Sequence, residues 1–345
     1  MEEQLLHWFL SVHGVFLAVC IAVGIAILGK GADVLVGEAV VLSERFGIPK
    51  IVIGATIVSL GTTAPEAVFS VLAALQGNPT IALGNAVGSV IADTGLILGI
   101  ACLIKPPTLD RQLVNRQGWI QYAAGWLLVL ACVTWSSPLA VFRDGGRLSQ
   151  WMGVIFLLLL AWYIGWTIYS AMRGRGSTPV EEFEGNRNLS TSLVFVKLVL
   201  GLGAVVGSSY VLIPAVEAAS TRMGVPEEVV AATIVAFGTS LPELVTAVTS
   251  SLRGHGDLAV GNVIGADILN VLFVSGAAAA VTAEGLEASK VFFFVFFPSM
   301  LVILTVFRVG IFFCGDRLGR GFGLVLIFVY LVATVVGFVL KDVYK

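Results

Sequence analysis

Two glutamates stand where a membrane helix would not ordinarily keep them. Glu66 ends the run GTTAPE at 61–66 and Glu243 ends GTSLPE at 238–243, each directly after a proline inside an apolar stretch. An ionisable group at bilayer depth is costly and reads as functional by default. The preceding proline lacks an N–H and crowds the carbonyl four residues back. A carbonyl freed in hydrocarbon needs another partner. Two carboxylates meeting at low dielectric repel strongly, so a proton or a cation must resolve them. Calcium fits, because it takes about 6–8 oxygens from carboxylates, carbonyls and water. Glu66 and Glu243 would balance its charge, and carbonyls around Thr62 and Thr239 would add ligands.

A second polar pair follows. Asp93 and Asn270 each lie 27 residues after their glutamate. The hydroxyls of Thr62, Thr63, Ser89, Thr239 and Ser240 suit a small hard cation such as sodium. No soft ligand cluster is present, which disfavours copper and zinc. Plainer readings stand beside these. The hydroxyls can re-satisfy the carbonyls of a kinked helix, and Asp93 and Asn270 can simply hydrogen-bond between helices. Asn85 and Asn262, in GNAVG and GNVIG, read as braces rather than ion ligands, and Asp267, whose counterpart is Val90, reads as local. Lys30, Asp33 and Glu38 fit either an access path or the membrane interface.

The elements that must hold these groups are membrane spans. Of the 345 residues, 57% are hydrophobic and 12% charged, with a mean hydropathy of +0.97. A soluble domain carries about 25% charge, so neither a water-soluble globule nor a disordered chain fits. With a net charge of -2 there is no basic surface for nucleic acid. The four cysteines lie in apolar runs without metal or disulfide spacing. The start, Met1-Glu2-Glu3, lacks the basic region of a signal peptide. A span needs about 20 apolar residues. Ten segments qualify: 13–42, 50–75, 79–104, 118–136, 150–171, 192–220, 227–252, 257–281, 290–309 and 321–341. The fold class expected is an all-α polytopic membrane protein. A polar connection at 172–191 divides it into five-helix units at 1–171 and 192–345. Loops on the side opposite the N-terminus hold 12 Lys and Arg against 6 on the other, which puts both termini outside.

The halves are copies. Residues 56–99 align without gaps on 233–276, an offset of 177, with 17 identities in 44 positions. An odd number of spans per unit inverts the second copy, the architecture of many transporters that bind substrate at the midplane, where broken helices meet. Two short patterns are decoys. GIAILGKG at 24–31 is one residue short of a phosphate loop and lies in a span. The GHGD at 254–257 falls in a loop, so His255 reads as a loop residue; no nucleophile or HExxH supports a hydrolase.

These motifs resemble the duplicated repeats of the calcium/cation antiporter superfamily, nearest to the prokaryotic sodium/calcium exchangers. The resemblance rests on GTTAPE with GNAVG and GTSLPE with GNVIG. It implies a transporter rather than an enzyme, with no cofactor and with Ca2+ and Na+ as the transported ions. The implied core is Glu66, Glu243, Asp93 and Asn270, with calcium on the two glutamates and the carbonyls of Thr62 and Thr239. Sodium would compete through Thr62, Thr239, Ser89, Ser240 and carbonyls near Ser59 and Ala236. The resemblance further implies that the first helix of each half slides past a stationary core. A monomer in a prokaryotic inner membrane is the expected setting. Two departures matter. Ala266 stands opposite Ser89 where the family often has serine, and the acid of the Asp/Asn pair lies in the first half. Proton coupling is therefore the alternative.

Overall fold

Hydrocarbon offers a backbone no partners, so apolar runs fold as helices. The computed structural model describes residues 2–173, 190–223 and 240–340, and these are almost wholly helical. The helices are α1 (Glu2–Ser11), α2 (Gly14–Phe46), α3 (Lys50–Thr62), α4 (Ala64–Leu75), α5 (Pro79–Ile104) and α6 (Arg111–Cys132). Then come α7 (Gln150–Arg173), which ends at the polar connection, and beyond it α8 (Thr191–Arg222), α9 (Leu241–Leu252), α10 (Gly256–Ala280), α11 (Phe292–Phe313) and α12 (Arg320–Leu340).

Among the described residues, seven helices are long and apolar enough to cross a membrane, and α3 with α4 makes an eighth as a pair bent by 44°. Ten spans are expected from the sequence, and the shortfall has two sources. The segment expected at 118–136 is α6, which runs from 111 to 132 instead. Asp110 caps it early, its Oδ1 accepting from the backbone N–H groups of Gln112 and Leu113 at 3.1 Å each. Gln112, Asn115, Arg116, Gln117 and Gln121 then keep α6 from being apolar enough, although Gln117 and Gln121 are buried inward. The span expected at 227–252 is described only from Ser240 onward, as α9. The polar connection falls largely outside the described residues.

The duplication is visible in the backbone. The helices α4 and α9 each have 12 residues, and the first segments of α5 and α10, Pro79–Ala92 and Gly256–Leu269, each have 14. Every one of these boundaries differs by the sequence offset. The turns match bond for bond: Asn78 N–H to Ala73 C=O at 2.9 Å is repeated by His255 to Ser250 at 2.8 Å. Each turn passes through a glycine in the left-handed region, Gly77 at φ 85° and Gly254 at φ 84°, where a Cβ would be strained.

Close backbone approaches hold the halves together. A Cβ on Gly265 would lie 2.5 Å from Ala55 Cα, and one on Gly54 would lie 2.6 Å from the Leu258 carbonyl. Small residues at such crossings let membrane helices meet, and here they seat α10 on α3. The long helices α2 and α8, 33 and 32 residues, run antiparallel along each other. Arg45 Nη1 reaches Thr191 Oγ1, Gly31 packs on Gly201, and Gly24 packs on Leu212. Strands β1 (Gly146–Leu148) and β2 (Leu286–Ala288) pair antiparallel, and a single bridge joins Thr108 to Arg317. Apolar side chains on α12, such as Leu324, Phe328 and Val335, stay exposed, as a lipid-facing surface requires.

Candidate functional site

The bend between α3 and α4 follows from Pro65, which has no N–H to offer the carbonyl of Gly61. The break places Glu66 in the first turn of α4. Pro242 and Glu243 occupy the same positions in α9. Both carboxylates thus sit at helix N-termini, where unpaired N–H groups and the helix dipole favour negative charge. In the next span the ladder widens to i→i+5 bonding at Asp93–Ile97 and again at Asn270–Ser275. Such turns recur at functional sites. Here each one opens on the residue that the sequence marks as the second polar position.

These elements converge. Glu66, Glu243, Asp93 and Asn270 are each 1% exposed. Asn270 Nδ2 donates to Asp93 Oδ2 at 3.2 Å, joining the two halves. Thr63 Oγ1, at the bend, donates to Glu243 Oε1 at 3.1 Å and joins them a second time. Ser240 lies beside the Asp93 carboxylate and Thr62 beside Glu243, while Glu66 faces both Glu243 and Asp93. Both Glu66 oxygens, Glu243 Oε2, Asp93 Oδ1 and Asn270 Oδ1 have no hydrogen-bond partner. Buried acceptors of this kind are expensive. Five such oxygens, all hard and three-quarters carboxylate by residue, match the donor set of calcium or sodium. Among the described residues no three His, Cys, Asp or Glu side chains close into a compact cluster. Two of the carboxylates are instead each tied to the opposite half, Glu243 by Thr63 and Asp93 by Asn270.

The remaining expected residues divide. The α3 hydroxyls serve the backbone: Thr62 Oγ1 donates to the Ser59 carbonyl and Ser59 Oγ to the Thr56 carbonyl, both at 3.3 Å. Thr63, at the bend, donates across to Glu243, and Thr62 lies beside the same carboxylate. Ser89 is buried one turn before Asp93 on α5. Ala236 and Thr239 lie outside the described residues. Asn85 is a brace, donating to Ser70 Oγ at 3.0 Å and so tying α5 to α4. Asn262 is fully buried, and neither of its side-chain polar atoms has a partner. Asp33 pairs with Arg253 at 2.8 Å and Glu38 with Lys197 at 3.5 Å. His255 precedes α10, with Nδ1 at 3.4 Å from Lys50 Nζ. Partial burial, and then the positive charges of Lys50, Arg253 and Lys105, push its imidazole down to about 4.

One cluster escapes the sequence reading. Asp267 is not an isolated residue: Thr94 Oγ1 and Gln121 Nε2 both donate to its Oδ2. All three are buried. The available signal was Gln117 and Gln121 four apart at the polar entrance of a span, a spacing that puts two amides on one face of a helix.

Fold and site together define a polytopic membrane protein with an acidic centre shared by two related halves. Comparison with known proteins supplies the family. The sodium/calcium exchanger protein family matches residues 16–169 and 193–339, once in each half, and the chain belongs to it. The inner membrane protein YrbG of Escherichia coli is 32% identical over 312 residues, covering 88% of this chain and 91% of YrbG. The sodium/calcium exchanger MaX1 of Methanosarcina acetivorans is 28% identical, covering 91% of this chain and 96% of MaX1. Among solved structures, the sodium-calcium exchanger NCX_Mj superposes with a TM-score of 0.76 at 25% identity, covering 93% of this chain and 98% of that one.

Proposed function

We propose that this protein exchanges calcium for sodium across the membrane by alternating access, with the ions bound between two inverted five-helix halves of a ten-span chain. The carrying observation is the pair Glu66 and Glu243, buried in the first turns of two equivalent helices with carboxylate oxygens left bare. Calcium is held by those glutamates together with Asp93, Asn270 and carbonyls around Thr62 and Thr239. Sodium uses Thr62, Thr63, Ser89, Thr239, Ser240 and carbonyls near Ser59 and Ala236. The two ions share the glutamates, so the site holds one set or the other. An empty site leaves buried carboxylates uncompensated, which discourages the change of access without cargo. Both termini face outside.

Calcium-45 uptake into proteoliposomes with pH clamped tests this reading. Vesicles preloaded with sodium should take up calcium, and vesicles preloaded with potassium or choline should not. A second reading has its own observation. Asp93 keeps Oδ1 bare while Asn270 serves only Oδ2, and Ala266 offers no hydroxyl opposite Ser89. A carboxyl so placed can carry a proton. Uptake that follows a pH gradient and ignores internal sodium would make the protein a cation/proton antiporter and would overturn the sodium reading.

A further inference from the structure

The Asp267 cluster lies beside the ion site without belonging to it. Asp267 and Asn270 are three apart on α10 and share a face, and Thr94 is the residue after Asp93 on α5. Gln121 comes from α6, outside the duplicated segments. The cluster breaks the repeat, because the counterparts of Asp267 and Thr94 are Val90 and Val271. Asp267 and Gln121 are each 2% exposed and Thr94 is fully buried.

The hydrogen bonds are lopsided. Thr94 Oγ1 and Gln121 Nε2 both donate to Asp267 Oδ2, and Gln121 Nε2 also reaches Thr94 Oγ1 at 3.0 Å. Asp267 Oδ1 and Gln121 Oε1 have no partner. Among the described residues no lysine, arginine or histidine pairs with Asp267. The groups facing it are neutral Thr94 and Gln121, with Asp93 as the neighbouring carboxyl. A buried anion so placed is uncompensated. An acid and a primary amide have complementary groups: the amide N–H donates to one acid oxygen, and the acid O–H donates to the amide oxygen. The first of those bonds is present here. The two bare atoms are the ones that form the second, once Oδ1 carries a proton.

We propose that Asp267 is a resident proton site, its Oδ1–H donated to Gln121 Oε1, built into the protein wall behind the Asp93–Asn270 pair. The proton completes a link among α5, α6 and α10 and holds Thr94, and so the start of the widened turn at Asp93, in place. On the proposed exchange function, Asp267 then adds no fourth negative charge for the ions to balance. The protonation itself does not depend on that function.

Infrared difference spectra of wild type against Asp267→Asn test it in protein alone. The difference should show the loss of a protonated-carboxyl C=O stretch with the carboxylate bands unchanged. Gln121→Leu should move the same stretch to higher frequency, because the carbonyl loses its amide donor. Loss of carboxylate intensity in Asp267→Asn overturns the proposal, and so does a C=O stretch unmoved by Gln121→Leu. In transport, Asp267→Asn should stay near wild type while Asp267→Leu falls about 10–100-fold, the usual cost of removing a support behind a metal ligand. Equal loss in both variants would mean that Asp267 works as an anion. The spectra remain decisive if calcium proves not to be the cargo.

Discussion

Asp93 and Asn270 stand one repeat offset apart, each opens a widened helical turn, and Asn270 Nδ2 meets Asp93 Oδ2 at 3.2 Å. The contact joins equivalent points of the two halves, so a change on either side is felt at the centre. With Thr63 reaching Glu243 at 3.1 Å, it makes the polar centre a shared property of both repeats.

Glu66→Gln and Glu243→Gln should each abolish calcium exchange in a protein that still purifies as a folded species. Removing one partner of a buried charged set costs about 3 kcal/mol or more, which is at least about 100-fold in affinity. Calcium-45 flux with a size-exclusion profile measures both outcomes. Full exchange in both variants would remove the glutamates from the site.

Thr63→Val should weaken calcium binding while sparing the fold. The variant deletes the hydroxyl donor to Glu243 Oε1. A hydrogen bond to a charged group contributes about 1.5–3 kcal/mol. The calcium concentration for half-maximal uptake should rise about tenfold or more.

Gly31→Ala and Gly201→Ala should both lower thermal stability in detergent. An added methyl at Gly31 would lie 2.8 Å from Ala204 Cβ, and one at Gly201 would lie 2.7 Å from the Leu35 N–H nitrogen. Overpacking of this kind costs about 1–3 kcal/mol. Gly29→Ala meets nothing within 4 Å and should be neutral or slightly stabilising, since alanine is the better helix former by about 1 kcal/mol. A melting scan of the three variants decides it.

Stability should fall on acidification through His255. Its folded imidazole is pushed down to about 4 from an ordinary 6.5, chiefly by burial. Above about 6.5 both folded and unfolded forms are neutral there and nothing is lost. Between 6.5 and about 4 the unfolded chain binds the proton and the folded one does not, so stability drops across that window. His255→Gln should flatten this part of the melting temperature profile. An unchanged profile would remove His255 as its source.

The sequence carried the centre further than the periphery. Glu66 and Glu243 were legible because a proline before a carboxylate in an apolar run has few structural uses, and the duplication repeated the signal. Asp93 and Asn270 followed from the same offset. The widened turns that present them were not legible, because no residue type marks where i→i+4 bonding gives way to i→i+5. The reach of α6 to 111 was missed because its amides look like loop residues until Gln117 and Gln121 are seen turned inward. Gln121 then accounts for Asp267, whose partners lie 173 and 146 positions away in the chain, beyond any local pattern. Of the hydroxyls marked in the sequence, Thr62 donates its proton to the Ser59 carbonyl and lies beside Glu243, a double placement that no residue spacing announces.

The tight seam between α2 and α8 has a mechanical consequence. Each 33- or 32-residue helix is about 50 Å long at 1.5 Å per residue, well beyond the roughly 30 Å hydrocarbon core. The two are joined backbone to backbone at Gly31 and Gly201 and run in opposite senses, so they behave as one rod with its ends reversed. Each face of the membrane therefore receives the start of one helix and the end of the other, so a substitution in the Gly31–Gly201 seam is felt on both faces at once.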